Sequence, residues 1–264
     1  MLNSRKFNSI YPPPSVISED LKNAGTWWIL SSIFSIVLNP LITILWFNTF
    51  IAGLPNLEYS TPTAVSILII MMIPFLLVTP ILQVIAYNYT MKLDYLDKTL
   101  KWGSLFGMIQ SIMYLLGAVL LPFYSYTLSL TVLSFYIGSM IGFISIVLLV
   151  IGFFKTGEES DNTTIKIGSA ILLFFTFIGG ILIGYGLKQT AVDIAVFTIR
   201  KINWDKIKND IKSKLENQEP IYIDYFARGN GLIPLVLKIK ISEWISKEEI
   251  KGFLHRGIIL PKED

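Results

Sequence analysis

Cysteine is absent, histidine occurs once, and only 16% of the 264 residues carry charge. Without cysteine there are no disulfides, no thiol redox chemistry and no thiolate metal sites. The single histidine, His255, stands in Lys251-Gly-Phe-Leu-His-Arg256 with no second ligand pattern beside it, and reads as a surface residue. Charge is low against the roughly 25% of ordinary soluble domains, and it is missing in blocks. None occurs between Lys22 and Glu58, between Glu58 and Lys92, between Lys101 and Lys155, or between Lys166 and Lys188. A bilayer core about 30 Å thick takes roughly 20 apolar helical residues to cross, and each gap is at least that long. The net charge of +3 is small and mixed in sign, which gives no footprint for nucleic acid.

What is present fits an all-α membrane bundle of about five transmembrane helices with a small α+β C-terminal tail. Residues 1–22 form a polar arm containing Tyr11-Pro12-Pro13-Pro14, whose prolines favour an extended conformation. The arm lacks the short apolar core of a signal peptide. A transmembrane domain follows over 23–188, with spans near 25–52, 63–91, 102–121, 130–154 and 166–187. The uncharged run from Trp102 to Phe154 would reach about 80 Å as one helix. It breaks at Pro122-Phe-Tyr-Ser-Tyr-Thr-Leu-Ser129, which is rich in turn formers and interfacial tyrosine.

Residues 189–201 read as an interfacial connector, half apolar and carrying Arg200 and Lys201. In the tail, 202–264, Ile207, Ile211 and Leu215 recur every four residues and predict an amphipathic helix. The β-prone runs 221–227 and 235–241 predict two strands joined by a turn at Arg228-Gly-Asn-Gly231. Ser246-Lys-Glu-Glu249 is a capping box that predicts a short helix ending near Gly257.

No ionisable side chain falls inside a predicted span. Buried acids, lysines and histidines build proton relays and intramembrane catalytic sites, so the spans hold no such chemistry. Neutral polar residues remain. Asn39 beside Pro40, Gln83 shortly after Pro80, and Gln110 are candidates to line a cavity; the alternative is interhelical hydrogen bonding worth about 1 kcal/mol each. Glycines four apart at Gly103 and Gly107, Gly138 and Gly142, and Gly180 and Gly184 let another backbone approach one helix face. They serve either oligomerisation or packing within the bundle. The acidic loop Glu158-Glu159-Ser-Asp161 reads as solvated rather than as a cation site.

Lysine and arginine mark cytosolic loops. Arg5, Lys6 and Lys22, then Lys92, Lys98 and Lys101, then Lys155 and Lys166 place the N-terminus in the cytosol of a multi-pass cell-membrane protein. Five crossings then put the tail outside, against its own basic residues Lys188, Arg200 and Lys201. One escape is a segment that re-enters instead of crossing. Asn162-Thr163-Thr164 is a glycosylation acceptor pattern that would also need its loop outside.

Residues 152–187 resemble an uncharacterised family of multi-pass membrane proteins from thermoacidophilic archaea, a domain of unknown function. The likeness rests on the loop entered through Lys155-Thr-Gly157, the Lys166-Ile-Gly168 start of the last span, and its Ile178-Gly, Ile181-Leu-Ile183 and Gly186-Leu187 ending. The resemblance implies several membrane helices and carries no activity or site residues.

Two function classes stand. The first is a non-enzymatic accessory or scaffold subunit, without cofactor, whose partners are the lipid bilayer and either copies of itself or other membrane subunits. The second is a passive channel or carrier for a neutral or hydrophobic solute, which needs a polar cavity past Asn39, Gln83 and Gln110.

Overall fold

A computed structural model describes residues 11–52, 62–120, 124–199, 202–255 and 257–261. Six helices form the first part: α1 (Pro14–Ala52), α2 (Pro62–Met91), α3 (Lys98–Leu120), α4 (Tyr124–Glu159), α5 (Thr163–Leu172) and α6 (Thr176–Ile199). They close into a ring. Each packs on the next in chain order, and α6 packs back on α1. Among the described residues, three helical segments are long and apolar enough to cross a membrane: Lys98–Leu120, Leu133–Glu159 and Thr176–Phe197.

The expected fifth span, 166–187, is not one helix. The chain turns at residues 173–175, and α5 and α6 fold back on each other as a hairpin. The reason lies in where the glycines fall. Gly186 packs on Ile165, Gly168 on Ile183, and Gly179 on Leu172. Each glycine on one arm meets a large residue on the other, so the two backbones approach closely. Asn162 ties the open end. Its side chain caps α5 by accepting from the Thr164 and Ile165 amides, and it donates to the Gly186 carbonyl at 3.0 Å and to Thr190 at 3.1 Å. Asn162 is buried and its hydrogen bonds are internal, which disqualifies it as a glycan acceptor in the folded chain.

The arm is shorter than expected, because α1 starts at Pro14, where proline suits the first helical position. Tyr11 is buried edge-on against Tyr95, 6.3 Å between ring centroids. The expected connector over 189–201 is mostly helical too, since α6 continues to Ile199.

The C-terminal unit holds α7 (Trp204–Glu216), β1 (Ile221–Tyr222), α8 (Ile223–Gly229), α9 (Pro234–Ser246), β2 (Gly252–His255) and β3 (Ile258–Pro261). The strands form one antiparallel sheet in the order β1-β3-β2. Three expectations are corrected here. The 221–227 run is a strand for two residues only and then α8. The 235–241 run is helix α9, opened by Pro234. The segment after Ser246 ends in the β2–β3 hairpin, with Gly257 at φ +82 in its turn. α9 misled because both of its sides are covered. Leu235 and Ile239 join the core of the helix ring, while Leu237, Ile241 and Trp244 join the core of the C-terminal unit. A helix buried all round shows no amphipathic period.

Contacts gather one end of every ring helix. Ser18 at the start of α1 donates to the Ala191 carbonyl late in α6. Trp28 Nε1 donates to Thr90 near the end of α2. Lys155 near the end of α4 pairs with Asp97 in the α2–α3 loop at 2.9 Å. The C-terminal unit packs on this same end, through Leu235 and Ile239 against the cluster of Tyr11, Leu93 and Leu96. The tail and the α2–α3 loop therefore pack at the same end of the ring.

Candidate functional site

The α5 arm of the hairpin is shorter than the helices around it, and a polar cavity lies at the hairpin tip. α5 has ten residues, about 15 Å of helix, against 36 residues in the neighbouring α4. The cavity holds about 300 Å³, the low end of ligand-sized pockets. Leu172 and Thr176 form its floor. The walls come from Ser31, Ser32 and Ser35 on α1, Gln83 on α2, Gln110 and Tyr114 on α3, and Ser139, Gly142, Phe143 and Ile146 on α4.

The residues needed to build this site are small or neutral. Gly142 leaves room for Gln110, whose carboxamide would collide with any Cβ added there. Gly180 does the same for the Ser32 hydroxyl, and Gly138 lies against the Tyr114 ring. Gln83 Nε2 donates to Ser35 Oγ at 3.5 Å, and Ser111 Oγ donates to Gln83 Oε1 at 3.3 Å. Tyr114 and Ser139 join hydroxyl to hydroxyl at 3.0 Å.

Three of the hydroxyl protons are turned away from the cavity. Ser35 donates to the Ser31 carbonyl, Ser31 to the Trp28 carbonyl and Ser139 to the Phe135 carbonyl. Gln110 Oε1 is buried and has no hydrogen-bond partner, which is costly unless something donates to it. The lining thus combines hydroxyl oxygens with the carboxamides of Gln83 and Gln110, which can both donate and accept. No acid, lysine or histidine lines the cavity.

Toward the tail side the cavity is sealed. Trp28 stands edge-on to both Tyr87 and Phe153, with centroids 5.7 and 5.4 Å apart, and Leu149 is fully buried beside them. Gly107 lies against the Tyr87 ring, and Gly103 meets the α4 backbone at Leu149.

Gln83 and Gln110 both line this cavity, while the Asn39 side chain lies outside the described residues. Of the six glycines singled out, Gly103, Gly107, Gly138 and Gly142 pack between α2, α3 and α4. Gly180 and Gly184 pack against α1, with Gly184 facing the Gly25 carbonyl. Sequence reasoning missed the serines of α1 and the Tyr114–Ser139 pair. The signal was there: Ser31 and Ser35 stand four apart, on one helix face.

The acidic loop is not simply solvated. Glu159 pairs with Lys238 at 2.9 Å and Asp161 with Arg228 at 3.1 Å, so it clamps α9 and α8 to the ring. Burial raises the Glu159 carboxyl above its ordinary value, with Lys238 opposing. Burial also acts on Asp97, but hydrogen bonds from Thr99 and Lys155 outweigh it and leave that carboxyl lowered. Among the described residues, no three acids or histidines converge as metal ligands.

A family model described as a protein of unknown function, DUF973, matches residues 17–223, and the chain belongs to that family. No curated protein and no solved structure matches it. The matched region takes in the ring except the first three residues of α1, includes every residue of the cavity lining, and stops at the start of α8.

Proposed function

We propose that this is a multi-pass membrane protein that binds a neutral, hydrogen-bonding solute near the bilayer midplane and acts as a carrier or passage for it. The carrying observation is a polar, uncharged cavity walled by serines, Gln83 and Gln110. Its depth supports the reading. Gln83 precedes Lys92 by nine residues and Gln110 follows Lys101 by nine, about 14 Å of helix in each case. That is close to half of a core about 30 Å thick. A scaffold has no need of such a cavity, and filling it would stabilise the bundle.

In this reading α1 to α4 cross the membrane and the α5–α6 hairpin re-enters from the tail side. Lys22, the Lys92–Lys101 loop, Lys155, Lys166, Lys188 and the C-terminal unit then share the cytosolic side, in keeping with the positive-inside rule. The charge conflict created by five crossings disappears.

The chain's lack of cysteine makes it a ready template for the topology test. Single cysteines at Glu19, Lys98 and Lys212 should react with an impermeant maleimide from one face of sealed vesicles, and one at Glu58 from the other. Reaction of Lys212→Cys from the Glu58 side would sink the re-entrant arrangement. Binding is tested by thermal unfolding in detergent with neutral ligands, both water-soluble (glycerol, sugar alcohols) and membrane-soluble (monoacylglycerol). At least one should raise the melting temperature of the natural chain and not of Gly142→Leu, which drives Gln110 into the cavity. If none does, the solute-binding reading fails.

A further inference from the structure

We infer that the cavity takes its solute from the bilayer itself: the guest is a neutral amphiphile, its hydroxylated head inside and its hydrocarbon chain passing out between α1 and α4. This rests on the solute-binding reading and names the substrate class for the same site.

The route follows from how the ring is built. At the tail end six helices close it, α5 and α6 filling the space between α4 and α1. The hairpin turns at residues 173–175, and beyond that level nothing among the described residues fills the same sector. Among those residues α1 and α4 have no extended backbone approach, and Trp28 and Phe153 meet by their side chains on the tail side. The result is a side window above the hairpin tip.

Residues at the window are exposed and apolar on the outside, polar on the inside. Phe143 lines the cavity yet is 66% exposed, and Ser139, one turn away on α4, is exposed as well. Across the gap, Ser32 and Ser35 of α1 are buried toward the cavity while Ile33 and Ile36 are exposed. The sill is the hairpin tip, where Phe174 is 78% and Phe175 55% exposed beside the floor residue Thr176. In lipid, exposed aromatics and isoleucines are at home, and a hydrocarbon chain has an apolar frame to lie against.

The chemistry of the head follows from the lining. Carboxylates, phosphates and ammonium groups are disfavoured, because no opposite charge is present to offset their desolvation. The serine hydroxyls and the carboxamides of Gln83 and Gln110 suit a group that both donates and accepts, which a glycerol or long-chain alcohol hydroxyl does. At about 300 Å³ the cavity accepts roughly ten waters' worth of volume, enough for a small hydroxylated head and too little for the chain. The Trp28, Tyr87 and Phe153 cluster denies the head a way in from the tail side.

The test is photocrosslinking in nanodiscs with a monoacylglycerol that carries a diazirine high on its acyl chain. Adducts should concentrate on Phe143, Phe174 and Phe175, and unlabelled monoacylglycerol should compete them away while excess glycerol does not. Ser139→Trp, placed in the window, should cut the window adducts at least fivefold while adducts at distant lipid-facing positions such as Ile112 stay unchanged. Two results overturn the inference. One is even labelling of Ile112, Leu116 and the window, which is annular lipid only. The other is stabilisation and competition by glycerol alone, which leaves the solute-binding reading standing with a water-soluble guest. If neither ligand class stabilises the protein through the cavity, the parent reading falls instead.

Discussion

The Lys238 ammonium lies 2.9 Å from a Glu159 carboxylate oxygen, across the junction between the helix ring and the C-terminal unit. Only 7% of the lysine side chain and 24% of the glutamate is exposed. Around them stand Asp97 and Asp224, both raising the glutamate's proton affinity, and the Tyr11 hydroxyl group. The second carboxylate oxygen of Glu159 is buried without a hydrogen-bond partner. The pair fixes α9 in place more than it adds stability, since desolvation offsets much of the attraction.

Removing one partner is therefore worse than removing both. Lys238→Met should cost about 3 kcal/mol by leaving a buried acid unpaired. The double variant Glu159→Gln with Lys238→Met should recover most of it. Chemical unfolding in detergent supplies the cycle, and equal losses in the single and double variants would show that the pair is not coupled. Arg228→Met, which breaks the exposed pair with Asp161, should cost under about 1 kcal/mol.

The same carboxyl sets a pH dependence. Burial raises its folded-state value above the ordinary one, so the folded chain holds a proton that the unfolded chain has released. Stability contributed by the site is complete below the ordinary glutamate value and falls as pH rises through the raised one. Glu159→Gln mimics the protonated form and removes the slope. The melting temperature of the natural chain relative to this variant should drop with rising pH across that window. A rise would mean that the Lys238 attraction outweighs burial.

Asn162 is the clasp of the hairpin. Asn162→Ala loses a helix cap worth about 1 kcal/mol and two buried hydrogen bonds worth about 1 kcal/mol each. A loss of about 3 kcal/mol is expected, with faster hydrogen exchange at the start of α5. Exchange unchanged at Thr164 and Ile165 would show that the cap contributes nothing.

What the sequence revealed depended on whether one face of an element meets water or lipid. α7 was legible because Ile207, Ile211 and Leu215 are buried and the rest of the helix is solvated. α9 was not, because membrane helices cover one side and the C-terminal core the other. The long apolar gap from Trp102 to Phe154 holds most of α3 and α4, although α4 begins at Tyr124, inside the stretch read as the break. A charge count could not see the hairpin, because a run that folds back on itself is as uncharged as a straight one. The readable clue was the match of Gly168, Gly179 and Gly186 to Ile183, Leu172 and Ile165 across a centre near Phe175. Gln83 and Gln110 stood out as rare polar groups at mid-span. Ser32 and Thr176 did not, because hydroxyls are common in membrane helices and only the ring geometry turns these two toward the cavity.

Two glycines separate the needs of the fold from those of the site. A Cβ on Gly184 would stand 2.5 Å from the Gly25 carbonyl oxygen. Backbone of α1 lies there, and it can yield only by moving the whole helix. Gly184→Ala should then destabilise by about 1–3 kcal/mol, the usual cost of overpacking, with α1 and α6 pushed apart. A Cβ on Gly142 meets only the end of the Gln110 side chain. That side chain swings away at small cost, so Gly142→Ala should change stability by less than about 1 kcal/mol, some of it returned by the better helix propensity of alanine. Its effect falls on the guest. Gln110 Oε1 leaves its place, and the monoacylglycerol-induced rise in melting temperature should shrink by at least half. Thermal unfolding with and without ligand reads both variants in one experiment. A Gly142→Ala chain as unstable as Gly184→Ala would make Gln110 a packing residue. A Gly142→Ala chain with the full ligand response would take Gln110 out of the binding site.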